Sequence, residues 1–335
     1  MKQRDKYTLF VDTETSGIPV DTTLSYRNID NWPTIKQIAW IIYKKDGTLI
    51  AQHNYATAEE GERKEIVSPT YISKKVLPIH EIVKLFYLGA LPACDVIVGH
   101  NIEYDIQVIM SELHRYGYNT EPLSSMHQFC TMKNSVDICG FDTSHGDRYP
   151  KLQELYSKLF HKPFENAHDA YCDIKATADC FWKVFSCGML NKEDFPYLLT
   201  NEEKTTTANI FLEKGKEFLT KYLKQEQTSY DEELNIALSW FEKALRIKSN
   251  LKYEVGEECF RCARYLCGDI INDSYFTKTN SSKQFELVQE ALFFKQVDYY
   301  ETFKTDLMQQ ERPSKYEKFR TIISDAILNI IKSCF

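Results

Sequence analysis

Tyr7-Thr-Leu-Phe-Val-Asp12-Thr-Glu14-Thr-Ser-Gly17 begins as an apolar run and ends in two carboxylates and a turn. The apolar half predicts a buried strand, closed by Ser16-Gly17. Residues i and i+2 of an extended chain point to the same side. Asp12 and Glu14 can therefore approach one point at the strand's end. Alone, the pattern also describes a solvated strand terminus.

The neighbouring sequence extends the sheet. Residues 35–44 read as a second strand, Asp46-Gly47 is a strong hairpin signal, and residues 48–53 return as a third strand. The apolar run 95–99 ends at a glycine and suits a central strand. Residues 128–132 give a fifth. Helices are expected over 79–87, over 103–116, where Ile106, Ile109, Met110 and Leu113 recur at helical spacing, over 151–160, and over 167–185. Three meandering strands followed by alternating helices and strands predict an α/β domain over residues 1–198. Its core is a mixed five-stranded sheet flanked by helices.

Strand signals fade after about residue 200, and residues 199–335 read as an all-α C-terminal domain. Phe211, Leu212, Phe218, Leu219 and Tyr222 lie in one amphipathic stretch. Ile236, Trp240, Phe241, Ala244, Leu245 and Ile247 lie in another, and a last one falls over 319–331. Residues 237–245 faintly resemble one helix of a tetratricopeptide repeat, but a 34-residue period does not recur.

Composition removes several function classes. The chain has 335 residues, 43% hydrophobic, enough for one large or two ordinary domains. A net charge of −7 excludes nucleic-acid binding through a globally basic surface. No apolar run reaches the length of a membrane span, and the opening residues lack the apolar h-region of a secretory signal. Ten cysteines in 335 residues fall far below the density of a disulfide scaffold. The expectation is a cytoplasmic protein with reduced thiols and no membrane partner.

Two further stretches carry chemistry. In Gly99-His-Asn101-Ile-Glu-Tyr-Asp105 the central strand ends and a helix begins, placing Asp105 in the first helical turn. By itself this is an acid complementing a helix dipole. In His168-Asp-Ala-Tyr-Cys-Asp173, read as helical, the histidine and the last aspartate lie about 140° apart and can border one cleft.

Asp12, Glu14, Asp105 and Asp173 can thus converge at one sheet edge. Two carboxylates 4 Å apart repel by about 4 kcal/mol at an effective dielectric near 20. A cluster of four calls for protons or cations, and oxygen-only ligands suit Mg²⁺ or Mn²⁺. Two such ions support in-line displacement at phosphorus. A histidine, with an ordinary pKa near 6.5, suits the role of base for the attacking water.

The ordered set resembles the DnaQ-like, or DEDDh, family of 3′–5′ exonucleases, including the DNA polymerase III epsilon-type exonuclease domain. Residues 10–17 resemble the first exonuclease motif, 98–105 the second and 168–173 the third, in its histidine form. The resemblance spans residues 7–187. It implies a ribonuclease H-like fold and release of nucleoside 5′-monophosphates from single-stranded or frayed 3′ ends, DNA slightly ahead of RNA. Asp12, Glu14, Asp105 and Asp173 would ligate two divalent ions, Mg²⁺ or Mn²⁺, and His168 would activate the water. Thr15, with Glu14, would sit beside the terminal 3′ hydroxyl, and Asn101 would position the second motif or the substrate backbone. Tyr104 and Ser16 depart mildly from the frequent Phe and Thr. An RNA-trimming exoribonuclease and a non-catalytic binding module on the same fold remain the alternatives. The helical C-terminal domain would dock a protein partner or extend the substrate path.

Between the first two strands, Tyr26, Arg27 and Trp32 either contact a terminal base or pack beneath their own loop. Cys259, Cys262 and Cys267 lack the fourth ligand of a structural zinc site. The pairs Lys44-Lys45 and Lys74-Lys75 read as solvated. No nucleophile elbow or phosphate-cradling glycine loop is present.

Overall fold

The computed structural model describes residues 6–67, 72–143, 146–224, 231–248 and 251. The chain divides into two compact units, Met1–Thr200 and Asn201–Phe335.

The first unit is α/β. Strands β1 (Tyr7–Thr15), β2 (Ile35–Tyr43), β3 (Leu49–Ala58), β4 (Lys64–Ile66) and β5 (Lys74–Pro78) precede helix α1 (Ile79–Leu85). Strand β6 (Cys94–Gly99), helix α2 (Ile102–Arg115), the single turn α3 (Glu121–Ser124) and strand β7 (His127–Cys130) follow. The unit continues through the turn α4 (Val136–Cys139), the short pair β8 (Asp142–Thr143) and β9 (Gly146–Asp147), and helices α5 (Leu152–Phe160) and α6 (Ala170–Ser186).

The mixed sheet has seven strands in the order β4-β5-β3-β2-β1-β6-β7, not the expected five. The additional pair, β4 and β5, extends the β3 edge. Every side chain of β4 is exposed, so it carries no alternation of buried and polar positions to announce a strand. β5 runs parallel to β3 and antiparallel to β4.

Side-chain alternation along β1 divides the core. Leu9 and Val11 join Ile38, Trp40 and Ile42 of β2 and Ile106, Ile109 and Leu113 of α2 in one cluster. Phe10 joins Ala39 and Ile41 on the opposite face, against Ala170, Ile174, Ala178 and Phe181 of α6. By the same alternation, Asp12 and Glu14 point toward the α6 side and Thr13 toward the α2 side.

Gly99 lets the start of α2 approach the end of β1. A Cβ there would lie 2.7 Å from Ile102 Cδ1 and 3.1 Å from the Val11 carbonyl oxygen. Asn101 then takes the left-handed conformation, φ 70°, at the head of α2, one that Asn tolerates better than most residues.

In the second unit, helices α7 (Asn201–Lys224) and α8 (Asp231–Ile247) are described. Phe211 packs on Trp240, with ring centroids 5.2 Å apart. Gly215 leaves room for the Phe241 ring, which an added Cβ would meet at 2.3 Å. The expected helix over 319–331 and Cys259, Cys262 and Cys267 lie outside the described residues. Among the described residues, no helix is long and apolar enough to cross a membrane.

Candidate metal centre

Three segments far apart in sequence meet at the carboxyl end of β1. β1 supplies Asp12 and Glu14, the first turn of α2 supplies Asp105, and the first turn of α6 supplies Asp173. Ligand atoms of Glu14, His168 and Asp173 all lie within 4.8 Å of one another. Asp12 and Asp105 stand outside that tight group but within its electrostatic reach.

Each carboxylate is held differently. Asp105 is 4% exposed, and its Oδ1 accepts the Thr13 backbone N–H at 2.9 Å and the Thr13 hydroxyl at 2.7 Å. Asp173 Oδ2 accepts the His168 backbone N–H at 3.2 Å. Asp173 Oδ1 is buried and has no hydrogen-bond partner among the described residues. Buried carboxylate oxygens are nearly always paired, so this orphaned oxygen is the feature that fits a bound cation.

The electrostatics agree. Burial raises the Asp12 carboxyl well above its ordinary value, and Asp105, Asp173, Glu14 and Asp169 push it further. Burial lifts Asp105 to about 7 despite its two bonds from Thr13, with Glu14 adding to the rise. Burial lifts Asp173 to about 6, again helped by Glu14 and opposed by the His168 amide. Among the described residues, no lysine or arginine pairs with any of the four. The ion pair formed by the neighbouring Asp169 is with Lys74, at 2.6 Å. Clustered acids without a basic partner favour a hard divalent cation.

His168 precedes α6 rather than riding on it. Its φ is +69°, and Asp169 is the N-cap, its Oδ1 accepting the N–H groups of Tyr171 at 3.1 Å and Cys172 at 3.3 Å. His168 and Asp173 are therefore not separated by the roughly 140° expected of two such positions on one helix. The exposed imidazole reaches Glu14 and Asp173 from a turn.

Thr15 ends β1 and Asn101 precedes α2, both outside the group formed by Glu14, His168 and Asp173. The Thr15 hydroxyl donates to the Gly17 carbonyl at 2.7 Å and pairs with the Tyr104 hydroxyl at 2.9 Å. Tyr104 thus ties α2 to the turn after β1. Asn101 is exposed at the head of α2. Trp32 packs inward, 4% exposed, with its indole N–H donating to the Leu24 carbonyl at 3.2 Å. The Tyr26 hydroxyl pairs with Thr120 at 2.9 Å. Trp32 is thus part of the core, and the half-buried Tyr26 ties the loop to α2 and to the start of α3.

Three features escaped the sequence. His100 is fixed between the Thr131 hydroxyl and the Pro150 carbonyl, each at 3.0 Å, and burial lowers its pKa to about 4, so it braces the junction between β6 and α2 as a neutral ring. Lys74 pairs with Asp169 instead of standing in solvent, and Lys45 is buried against Asp95 at 3.1 Å. Only partners 95 and 50 residues away explain these lysines, and no local signal announces them.

No protein-family model matches this chain, and no curated protein matches it in sequence.

Proposed function

We propose that the chain is a divalent-metal-dependent 3′–5′ exonuclease of the DnaQ-like, DEDDh type, on a ribonuclease H-like domain. It would release nucleoside 5′-monophosphates from single-stranded or frayed 3′ ends, with DNA the first substrate to test and RNA the second. One observation carries this reading: ligand atoms of Glu14, Asp173 and His168 lie within 4.8 Å of one another, with Asp12 and Asp105 in electrostatic reach and, among the described residues, no lysine or arginine paired with any of the four acids.

Asp12, Glu14, Asp105 and Asp173 would hold the ions, and Asp173 Oδ1 has a lone pair free for one. Mg²⁺ or Mn²⁺ bound there would supply positive charge to the scissile phosphate and the departing 3′ oxygen. His168 accepts the proton of the attacking water, and its exposure lets bulk solvent carry that proton away. Thr15, locked by Tyr104 and Gly17, faces the terminal sugar. Asn101 offers its amide to the strand's backbone. The acidic chain needs no basic surface, because the cations meet the phosphate. The helical unit docks a protein partner or extends the substrate path.

A 5′-labelled oligonucleotide incubated with the purified chain tests this reading. Stepwise shortening that requires Mg²⁺ or Mn²⁺ and releases 5′-mononucleotides is expected. No shortening of DNA or RNA with either ion would remove the assignment.

A further inference from the structure

Asp169 lies outside the proposed ligand set, yet a network converges on it. Lys74 Nζ stands 2.6 Å from Asp169 Oδ2, and Gln37 Nε2 lies 3.1 Å from the same oxygen. Lys74 Nζ also donates to Gln37 Oε1 at 3.1 Å, and Gln37 Nε2 reaches Asn54 Oδ1 at 3.0 Å. Asp169 Oδ1 meanwhile caps α6. β2, β5 and α6 are thereby tied at one carboxylate, and β3 joins through the bond between Gln37 and Asn54. Gln37 is the cross-strand partner of Glu14, so the network borders the candidate centre. The Lys74 side chain is only 25% exposed, so the pair is less screened than one in open solvent.

The network braces an unfavourable turn. Asn166 and His168 both have positive φ, +58° and +69°. Residues other than glycine enter this region at a cost and stay only where their surroundings hold them. His168 is held on one side by its own amide, bonded to Asp173 at 3.2 Å. On the other side it is held by Asp169, whose carboxylate is the clamped group.

We infer that Lys74, acting through Asp169, is a positioning residue that holds the His168 imidazole at the reacting end of the site. The inference rests on the exonuclease reading. A purely electrostatic role would differ in its signature. Asp169 adds negative potential at Asp12 and Asp173, so losing the Lys74 charge would act first on cation affinity. Losing the clamp would act on turnover.

The test uses the full chain with Lys74→Met and Lys74→Arg. In Lys74→Met, kcat should fall about 10–100-fold, the cost typical of a displaced reacting group, while KM stays within about twofold. Mn²⁺ affinity should stay within about threefold, a change too small to explain such a loss, and Lys74→Arg should recover most of the turnover. In the metal-free protein, exchange of the His168, Tyr171 and Cys172 amides should quicken by about tenfold or more while β1 amides keep their rates. Wild-type kcat in Lys74→Met, or a kcat loss matched by the Mn²⁺ loss, would overturn the inference. So would unchanged His168 exchange, a readout that stands even where the wild-type chain shows no nuclease activity and the exonuclease reading itself has failed.

Discussion

Asp105 and Thr13 are joined twice: one carboxylate oxygen of Asp105 accepts both the backbone N–H and the hydroxyl of Thr13, at 2.9 and 2.7 Å. Thr13 lies between Asp12 and Glu14 and points to the opposite face of the sheet. A carboxylate from the α2 side is thereby delivered to the same strand end as the two on the α6 side. Thr13→Val keeps the shape and removes the hydroxyl donor. It should destabilise the fold by about 1–3 kcal/mol, the worth of one buried hydrogen bond to a carboxyl group, while the backbone N–H bond remains, as read by urea denaturation. A variant as stable as wild type would show that the hydroxyl bond does not hold Asp105.

The raised carboxyls set a pH dependence for the metal-free chain. Asp105 at about 7 and Asp173 at about 6 keep protons that the unfolded chain releases near pH 4. The unfolded state then binds fewer protons than the folded one, so stability falls as pH rises. The contribution is complete below about pH 4 and lost once pH passes about 7. Melting temperature in chelator should therefore drop across this window, and Asp105→Asn should flatten the drop. Mn²⁺ should restore stability most at the alkaline end. A slope that Asp105→Asn leaves unchanged would contradict this assignment.

The loop between β1 and β2 hangs on a buried pair. Arg115 donates to the carbonyls of Ile29 and Trp32, each at 2.5 Å, and to Glu112 at 2.7 Å. Glu112, 1% exposed, also accepts the Ile35 backbone N–H at 3.1 Å. Arg115→Met strands that carboxylate and should cost about 3–5 kcal/mol. Chemical denaturation measures the loss, and red-shifted tryptophan emission would report Trp32 leaving its site. A cost below about 1 kcal/mol would place the pair in the class of surface ion pairs.

His168 shares its position with two carboxylates, and two roles are separable there. As a base, His168→Ala should lower turnover by about 100-fold or more and leave Mn²⁺ binding nearly intact. As a metal ligand, it would lose affinity and turnover together. Calorimetric Mn²⁺ titration beside single-turnover cleavage distinguishes the two, and the base role predicts the first pattern.

Much of the candidate centre is legible in the linear sequence because its parts sit at element boundaries. Asp12 and Glu14 close an apolar strand, and Asp105 falls in the first turn after a strand ending in glycine. Periodicity and turn signals locate such places well. His168 reads as helical in the sequence because nothing local says where the helix begins; Asp169 takes the N-cap and leaves His168 in the turn before it. β4 and β5 were invisible for a different reason: the exposed Lys64-Glu-Ile66 carries no buried face, and Lys74 looks solvated until Asp169 is brought to it. Trp32 and Tyr26 were undecided because a loop aromatic has the same sequence whether it faces a ligand or its own core. Local capping decided His168, whereas long-range pairing decided the strands, Lys74 and the loop aromatics.

The central claim is that Asp12, Glu14, Asp105 and Asp173 together bind catalytic divalent cations, and calorimetric titration of the metal-free chain with Mn²⁺ tests it most directly. The account predicts saturable binding of two ions per chain, weakened by about tenfold or more in Asp12→Asn and in Asp173→Asn, each of which removes an ionised oxygen ligand. A wild-type chain without saturable binding, or Asn variants that bind Mn²⁺ as well as wild type does, would contradict it.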